Sequence, residues 1–141
     1  MILFCDTSAL IKLYLSEEGS DQVAEQAATA ESVVVCRIAW VEAMSALARR
    51  AREQPQDAAV IGEARKRLQD DWPEYLKLEV TQELVELAGD YADTFALRAY
   101  DSVQLAALRT LQREVAAESG GVAFACFDGR LAKAARVLGV A

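Results

Sequence analysis

One stretch constrains this chain more than any other. A short apolar run, Ile2-Leu3-Phe4-Cys5, leads straight into Asp6-Thr7-Ser8 and then into an apolar-periodic segment over residues 9–15. The run is too brief for a helix and rich in strand formers, so it predicts strand, tight turn, helix. A run that is apolar on both faces suits a central strand of a parallel sheet covered by helices. Sites in such sheets lie just beyond the carboxyl ends of the strands, and Asp6 is expected there. Asp, Thr and Ser are also good helix N-caps, each worth roughly 1 kcal/mol. On this stretch alone, capping and chemistry both account for Asp6.

The strand-then-helix pattern recurs. Residues 20–30 read as a short helix and 32–36 as a β-branched second strand. A helix is expected over 38–53, and another over 56–69 after the break at Pro55. A third strand is expected over 75–80, then a helix capped by Thr81 and running to about residue 91 or 95. A helix over 102–118 closes at Gly120-Gly121, and a last strand (122–127) and helix (130–138) complete the pattern. Alternation of this kind argues for an α/β fold, a three-layer α/β/α sandwich with a central parallel sheet. Right-handed crossovers would bring the strand ends to one edge. With 141 residues, no repeat and no dividing linker, residues 1–141 are expected to form one domain. No apolar run approaches the ~18 residues that span a bilayer. Met1 leads into the first strand without a basic leader region, so a cytoplasmic location without membrane attachment is expected.

Four carboxylates stand out by context. Asp6 ends the first strand, Glu42 lies in an apolar stretch of the helix after the second, Asp101 starts a helix and Asp128 follows the last strand. Gathered carboxylates repel, and each raises its neighbours' pKa unless a cation compensates. A hard divalent ion, Mg²⁺ or Mn²⁺, would supply that cation. Two such ions about 4 Å apart could activate water and stabilise a leaving oxygen in phosphodiester cleavage. The chain has no histidine, which removes the commonest general base, and 22 acidic against 15 basic residues give a net charge of −7. Bulk electrostatics therefore cannot grip nucleic acid; bound cations or a basic rim would have to. Thr7 and Ser8 are placed to support Asp6, while Lys12, Arg130 and Lys133 are candidate contacts to phosphates. Structural readings compete: Asp101 with Gln104 matches a capping box, Asp128-Gly129 a turn, and Glu42 a partner of Arg37. The cysteines, Cys5, Cys36 and Cys126, are odd in number and form no CxxC pair, so buried reduced thiols are expected.

Taken together these segments resemble the PIN-domain family, in particular its VapC-type toxin ribonucleases. The resemblance rests on FCDTSALIKLYLSEEGS, RIAWVEAMSALARR with Glu42, LRAYDSVQLAAL with Asp101, and ACFDGRLAKAARVLG with Asp128, in that order along nearly the whole chain. It implies an endoribonuclease dependent on Mg²⁺ or Mn²⁺, with Asp6, Glu42, Asp101 and Asp128 as catalytic and metal-holding residues. It implies products with a 5′-phosphate and a 3′-hydroxyl. It also implies a small cognate antitoxin and a homodimer formed through helices. The family often has Ser or Thr where Cys126 stands, so the hydrogen bonding around the fourth carboxylate is the open point. Two alternatives remain. One is a catalytically silent PIN-like binding module. The other is an aspartyl-phosphate phosphatase or receiver, which the single aspartate at the end of the first strand fits poorly, because Ser8 occupies the phosphatase's second Asp position and Cys5 breaks the receiver's acidic pair.

Overall fold

The computed structural model describes residues 1–115 and 120–141. Four parallel strands, β1 (Ile2–Cys5), β2 (Ser32–Cys36), β3 (Leu76–Leu78) and β4 (Val122–Ala125), form one sheet in the order β3-β2-β1-β4. The register sets Leu3 beside Val33 and Ala123, and Phe4 beside Val34 and Phe124. Side chains alternate across a strand, so the two faces bury different sets. Leu3, Cys5, Val35 and Ala125 pack under α1 (Thr7–Lys12), α2 (Ser20–Thr29), α3 (Ala39–Glu53) and α4 (Ala58–Asp71). Phe4, Val34 and Cys36 pack under α5 (Gln82–Phe95), α6 (Ala99–Glu114) and α7 (Gly129–Leu138). This is the three-layer α/β/α sandwich the strand–helix alternation predicts. Truncating a side chain as fully enclosed as Leu105 would cost about 2–5 kcal/mol.

Several boundaries differ from those read in the sequence. The helix expected over 9–15 is α1, which starts two residues earlier because Asp6 caps it. Asp70 and Asp71 belong to the end of α4, not to a turn, and Asp71 accepts a hydrogen bond from the Tyr14 hydroxyl at 2.8 Å. The third strand is cut to three residues, since Glu79 turns outward to pair with Arg37. α6 begins at Ala99, with Arg98 as its N-cap, and Val115 is already extended (φ −85°, ψ 123°). Its expected continuation to residue 118 lies outside the described residues. Among the described residues no helix is long and apolar enough to cross a membrane.

This topology positions a site. From β1 the chain steps to β2 and then β3 on one side; β4 returns to the other side of β1. The strand order reverses between β1 and β4, and the crevice outside the carboxyl ends at such a switch point is where ligands bind in open parallel sheets. Gly19, in the left-handed region at φ 89°, lets the α1–α2 turn approach this edge: a Cβ there would lie 2.7 Å from the Phe127 ring. The absence of a side chain at Gly19 leaves room for the Phe127 ring in the loop after β4.

Candidate active site

Asp6 is the last residue bound into the sheet, its N–H donating to the Ala125 carbonyl at 3.2 Å. It is also the N-cap of α1. One carboxylate oxygen, Oδ1, accepts from the Ala9 N–H at 3.0 Å and the Ser8 hydroxyl at 2.7 Å. The Cys126 thiol donates to the other, Oδ2, at 3.1 Å. Cap and site-lining residue are thus the same side chain, and it is 3% exposed. Burial pushes its pKa up and outweighs the three donors that pull it down; the Asp128 charge adds to the rise. Ser8 has a second task, accepting from the Phe127 N–H at 2.9 Å, which ties α1 to the loop after β4.

Glu42 sits in the first turn of α3, where β2 has just delivered the chain to the same edge. Its Oε1 accepts from the Thr7 hydroxyl and from the Gln104 amide, each at 2.9 Å. Arg37, the partner that a purely structural reading of Glu42 offers, pairs with Glu79 instead. Burial raises the Glu42 pKa against these two donors, and the charges of Asp101 and Asp6 raise it further. Gln104 is 1% exposed, and its amide also reaches Thr7 Oγ1 at 3.2 Å. Its carbonyl oxygen, Oε1, has no hydrogen-bond partner among the described residues.

Asp101 and Asp128 arrive from α6 and from the end of β4. Because α6 starts at Ala99, Asp101 lies inside its first turn and makes no capping bond; the expected capping box with Gln104 does not form. Gln104 instead points across to Thr7 and Glu42. Asp128 does cap α7, its Oδ1 accepting from the Leu131 N–H at 3.0 Å. One oxygen of each aspartate faces the same cation. Arg98 donates from Nε to Asp101 Oδ2 at 3.2 Å and from its terminal nitrogen to Asp128 Oδ2 at 3.5 Å. Burial and the Asp128 charge raise the Asp101 pKa, while Arg98 opposes them.

All four carboxylates, with Thr7 and Ser8, line a single cleft of about 740 Å³. Gln104, Arg98, Arg49 and the exposed Tyr100 complete its walls. The basic residues singled out in the sequence lie elsewhere. Lys12, with a side chain only 13% exposed, binds Glu17 at 3.0 Å and the Glu18 carbonyl at 2.6 Å and lies over the Phe127 ring. Arg130 and Lys133 are exposed on α7 outside the cleft lining. Arg98 is a cleft residue that sequence reasoning missed; Gln104 reads in the sequence only as a cap partner, and Arg49, at the arginine-rich end of its helix, reads first as structural and second as a phosphate contact. The signal for Arg98 was its place three residues before Asp101, one helical turn away.

The donor set is all carboxylate, hydroxyl and amide oxygen apart from one thiol. As the side chains stand, no three acidic or thiol groups among the described residues are arranged to hold an ion together; each carboxylate turns toward its own protein donors. Three carboxylates made hard to ionise by burial and mutual repulsion, next to a buried carbonyl oxygen short of a donor, nevertheless fit a hydrated hard divalent cation. Asp6, Glu42, Asp101 and Asp128 would hold it.

Comparison with known proteins agrees with this fold. A model of the PIN domain matches residues 3–137. The chain is 28% identical over 138 residues to proteins named ribonuclease VapC45 and ribonuclease VapC49 from Mycobacterium tuberculosis, covering 98% of this chain and 92% of each relative. Among solved structures, it is similar to the M. tuberculosis toxin VapC20, described as sarcin-ricin loop cleaving, at TM-score 0.63 and 21% identity over 94% of both chains. It is also similar to a chain of a toxin–antitoxin complex from Klebsiella pneumoniae, at TM-score 0.56 and 18% identity, covering 79% of this chain and 80% of that one.

Proposed function

This chain belongs to the PIN domain family, and from that premise we propose that it is a divalent-metal-dependent endoribonuclease, the toxin of a toxin–antitoxin pair. The observation that carries the reading is the convergence of Asp6, Glu42, Asp101 and Asp128, remote in the chain, on one cleft at the carboxyl edge of the sheet. The names of the relatives, ribonucleases among them, support the same reaction class. Bound there, Mg²⁺ or Mn²⁺ would supply a low-pKa water as nucleophile and charge stabilisation for the leaving oxygen of the phosphodiester.

The protein's own residues do the rest. Ser8, Ala9 and Cys126 fix the Asp6 carboxylate, and Thr7 and Gln104 fix Glu42. Asp6 and Asp101 would be the main holders of the cation, and Glu42 and Asp128 would complete its surroundings directly or through water. Arg49 and Arg98 give the acidic cleft the local positive charge that a net −7 chain needs to accept a phosphate backbone. Cleavage leaves a 5′-phosphate and a 3′-hydroxyl. A small antitoxin covers the cleft, the toxin pairs with itself through helices, and residues 1–141 act as one unit in the cytoplasm.

The test is RNA cleavage by the purified chain with Mg²⁺ or Mn²⁺, with chelator, and by Asp6→Asn. Cleavage that needs the ion and Asp6 is the expected result. Equal cleavage by Asp6→Asn, with contaminating nuclease excluded, contradicts the reading; RNA binding without cleavage by the unaltered chain points to the silent binding module.

A further inference from the structure

Arg98 stands apart from the other cleft residues. Its side chain is 76% exposed, yet it reaches two carboxylates that come from different elements, Asp101 on α6 and Asp128 after β4. It is held there by its backbone. Arg98 is the extended N-cap of α6 (φ −65°, ψ 158°), and its carbonyl accepts from the Ser102 N–H and hydroxyl. Two residues earlier, Ala96 turns the chain in the left-handed region at φ 53°, a conformation that non-glycine residues seldom adopt. Arg49, the other arginine of the cleft, makes no hydrogen bond from its side chain among the described residues, so the bridge is a property of Arg98's position and not of cleft charge alone.

Of the two Oδ2 atoms that Arg98 binds, that of Asp128 is the oxygen left over by capping, and that of Asp101 belongs to a carboxylate that caps nothing. Asp128 Oδ1 is committed to the Leu131 N–H. A cation that takes both of these Oδ2 atoms must therefore displace the guanidinium. We propose that Arg98 is a built-in competitor of the divalent ion: it bridges Asp101 and Asp128, and the ion binds only as the arginine swings out. The side chain's exposure makes that exchange cheap, because the freed guanidinium passes directly into solvent. The competition limits ion affinity in the absence of RNA and puts a free guanidinium at the cleft mouth once the ion is in place. The inference rests on the metal-site reading above.

The experiment measures Mn²⁺ binding to the full chain without RNA, by the electron paramagnetic resonance signal of free Mn²⁺. It compares the unaltered chain, Arg98→Gln, Arg49→Gln and Asp101→Asn, each checked for folding by circular dichroism. The strength of an exposed ion pair sets the size of the effect, so Arg98→Gln should bind Mn²⁺ roughly two- to fivefold more tightly, with Arg49→Gln close to the unaltered chain. Arg98→Gln should also gain more in melting temperature from a given Mn²⁺ concentration, since stabilisation follows affinity. Unchanged or weaker binding by Arg98→Gln overturns the competition, as does equal tightening by Arg49→Gln, which would be a general charge effect. If the unaltered chain, Arg98→Gln and Asp101→Asn all fail to bind Mn²⁺, the metal-site reading itself falls, and this inference with it.

Discussion

The cleft has two halves that handle negative charge in opposite ways. In the inner half, Asp6 and Glu42 are satisfied by neutral donors: two hydroxyls, an amide, a thiol and a backbone N–H. In the outer half, Asp101 and Asp128 share one exposed arginine. The difference follows from desolvation. A cationic side chain buried beside Asp6 would lose its own hydration and recover it only with near-ideal geometry, whereas fixed dipoles orient a carboxylate without adding a charge. At the rim an arginine keeps its contact with water. The inner half is therefore built to stay put and the outer half to exchange partners.

Substitution of an inner carboxylate is the strongest way to break this contrast. Asp6→Asn should lower RNA cleavage by more than the roughly 10–100-fold typical of residues that only orient a metal-holding group, while Arg98→Gln should not approach that loss. Steady-state cleavage of a labelled RNA measures both. Next in size are the orienting residues themselves. Gln104→Ala removes one of two donors to a buried Glu42 and should fall in the roughly 10–100-fold range, with a stability loss of about 1–3 kcal/mol by urea unfolding. If Gln104→Ala is as active as the unaltered chain, the inner half is not held by its neutral donors.

Titration sharpens the comparison. Asp6, Glu42 and Asp101 all have pKa values raised in the fold, chiefly by burial. The native chain thus holds protons that the unfolded chain has already released. Their stabilising contribution is full below the ordinary carboxylate range and is lost as pH rises through the raised values. In chelator, the melting temperature should be higher at mildly acid than at neutral pH. Asp6→Asn should flatten this slope; an unchanged slope would place the titration elsewhere.

Smaller effects are expected at two further positions. Cys126→Ser replaces a weak thiol donor with a hydroxyl toward Asp6 Oδ2 and should change stability by less than about 1 kcal/mol. Ala96→Gly relieves a left-handed backbone and should stabilise by up to about 1 kcal/mol, read from the same unfolding curves.

Much of this was legible in the sequence, for reasons that can be named. Strand–polar–helix junctions at Asp6 and Asp128 are local, and parallel topology brings such junctions to one edge whatever the side chains do. Glu42 was legible because a carboxylate in an apolar helical face must find donors. What was not legible depends on reach between elements. Gln104 follows Asp101 by three residues, which is capping-box spacing, and only the earlier start of α6 at Ala99 turns it toward Glu42. Lys12 reads as a phosphate contact until the fold brings Glu17 and Phe127 against it. Arg98 reads as a connector because its second partner, Asp128, lies 30 residues further along the chain, beyond β4.

The central claim is that carboxylates from both halves serve one ion. A double-mutant cycle on Mn²⁺ affinity tests it, using Asp6→Asn, Asp101→Asn and the double variant. A shared ion predicts that the two losses fail to add by clearly more than the roughly 0.5 kcal/mol scatter of independent sites. Losses that add within that scatter would mean the two aspartates never meet on a common ion, and would contradict the account.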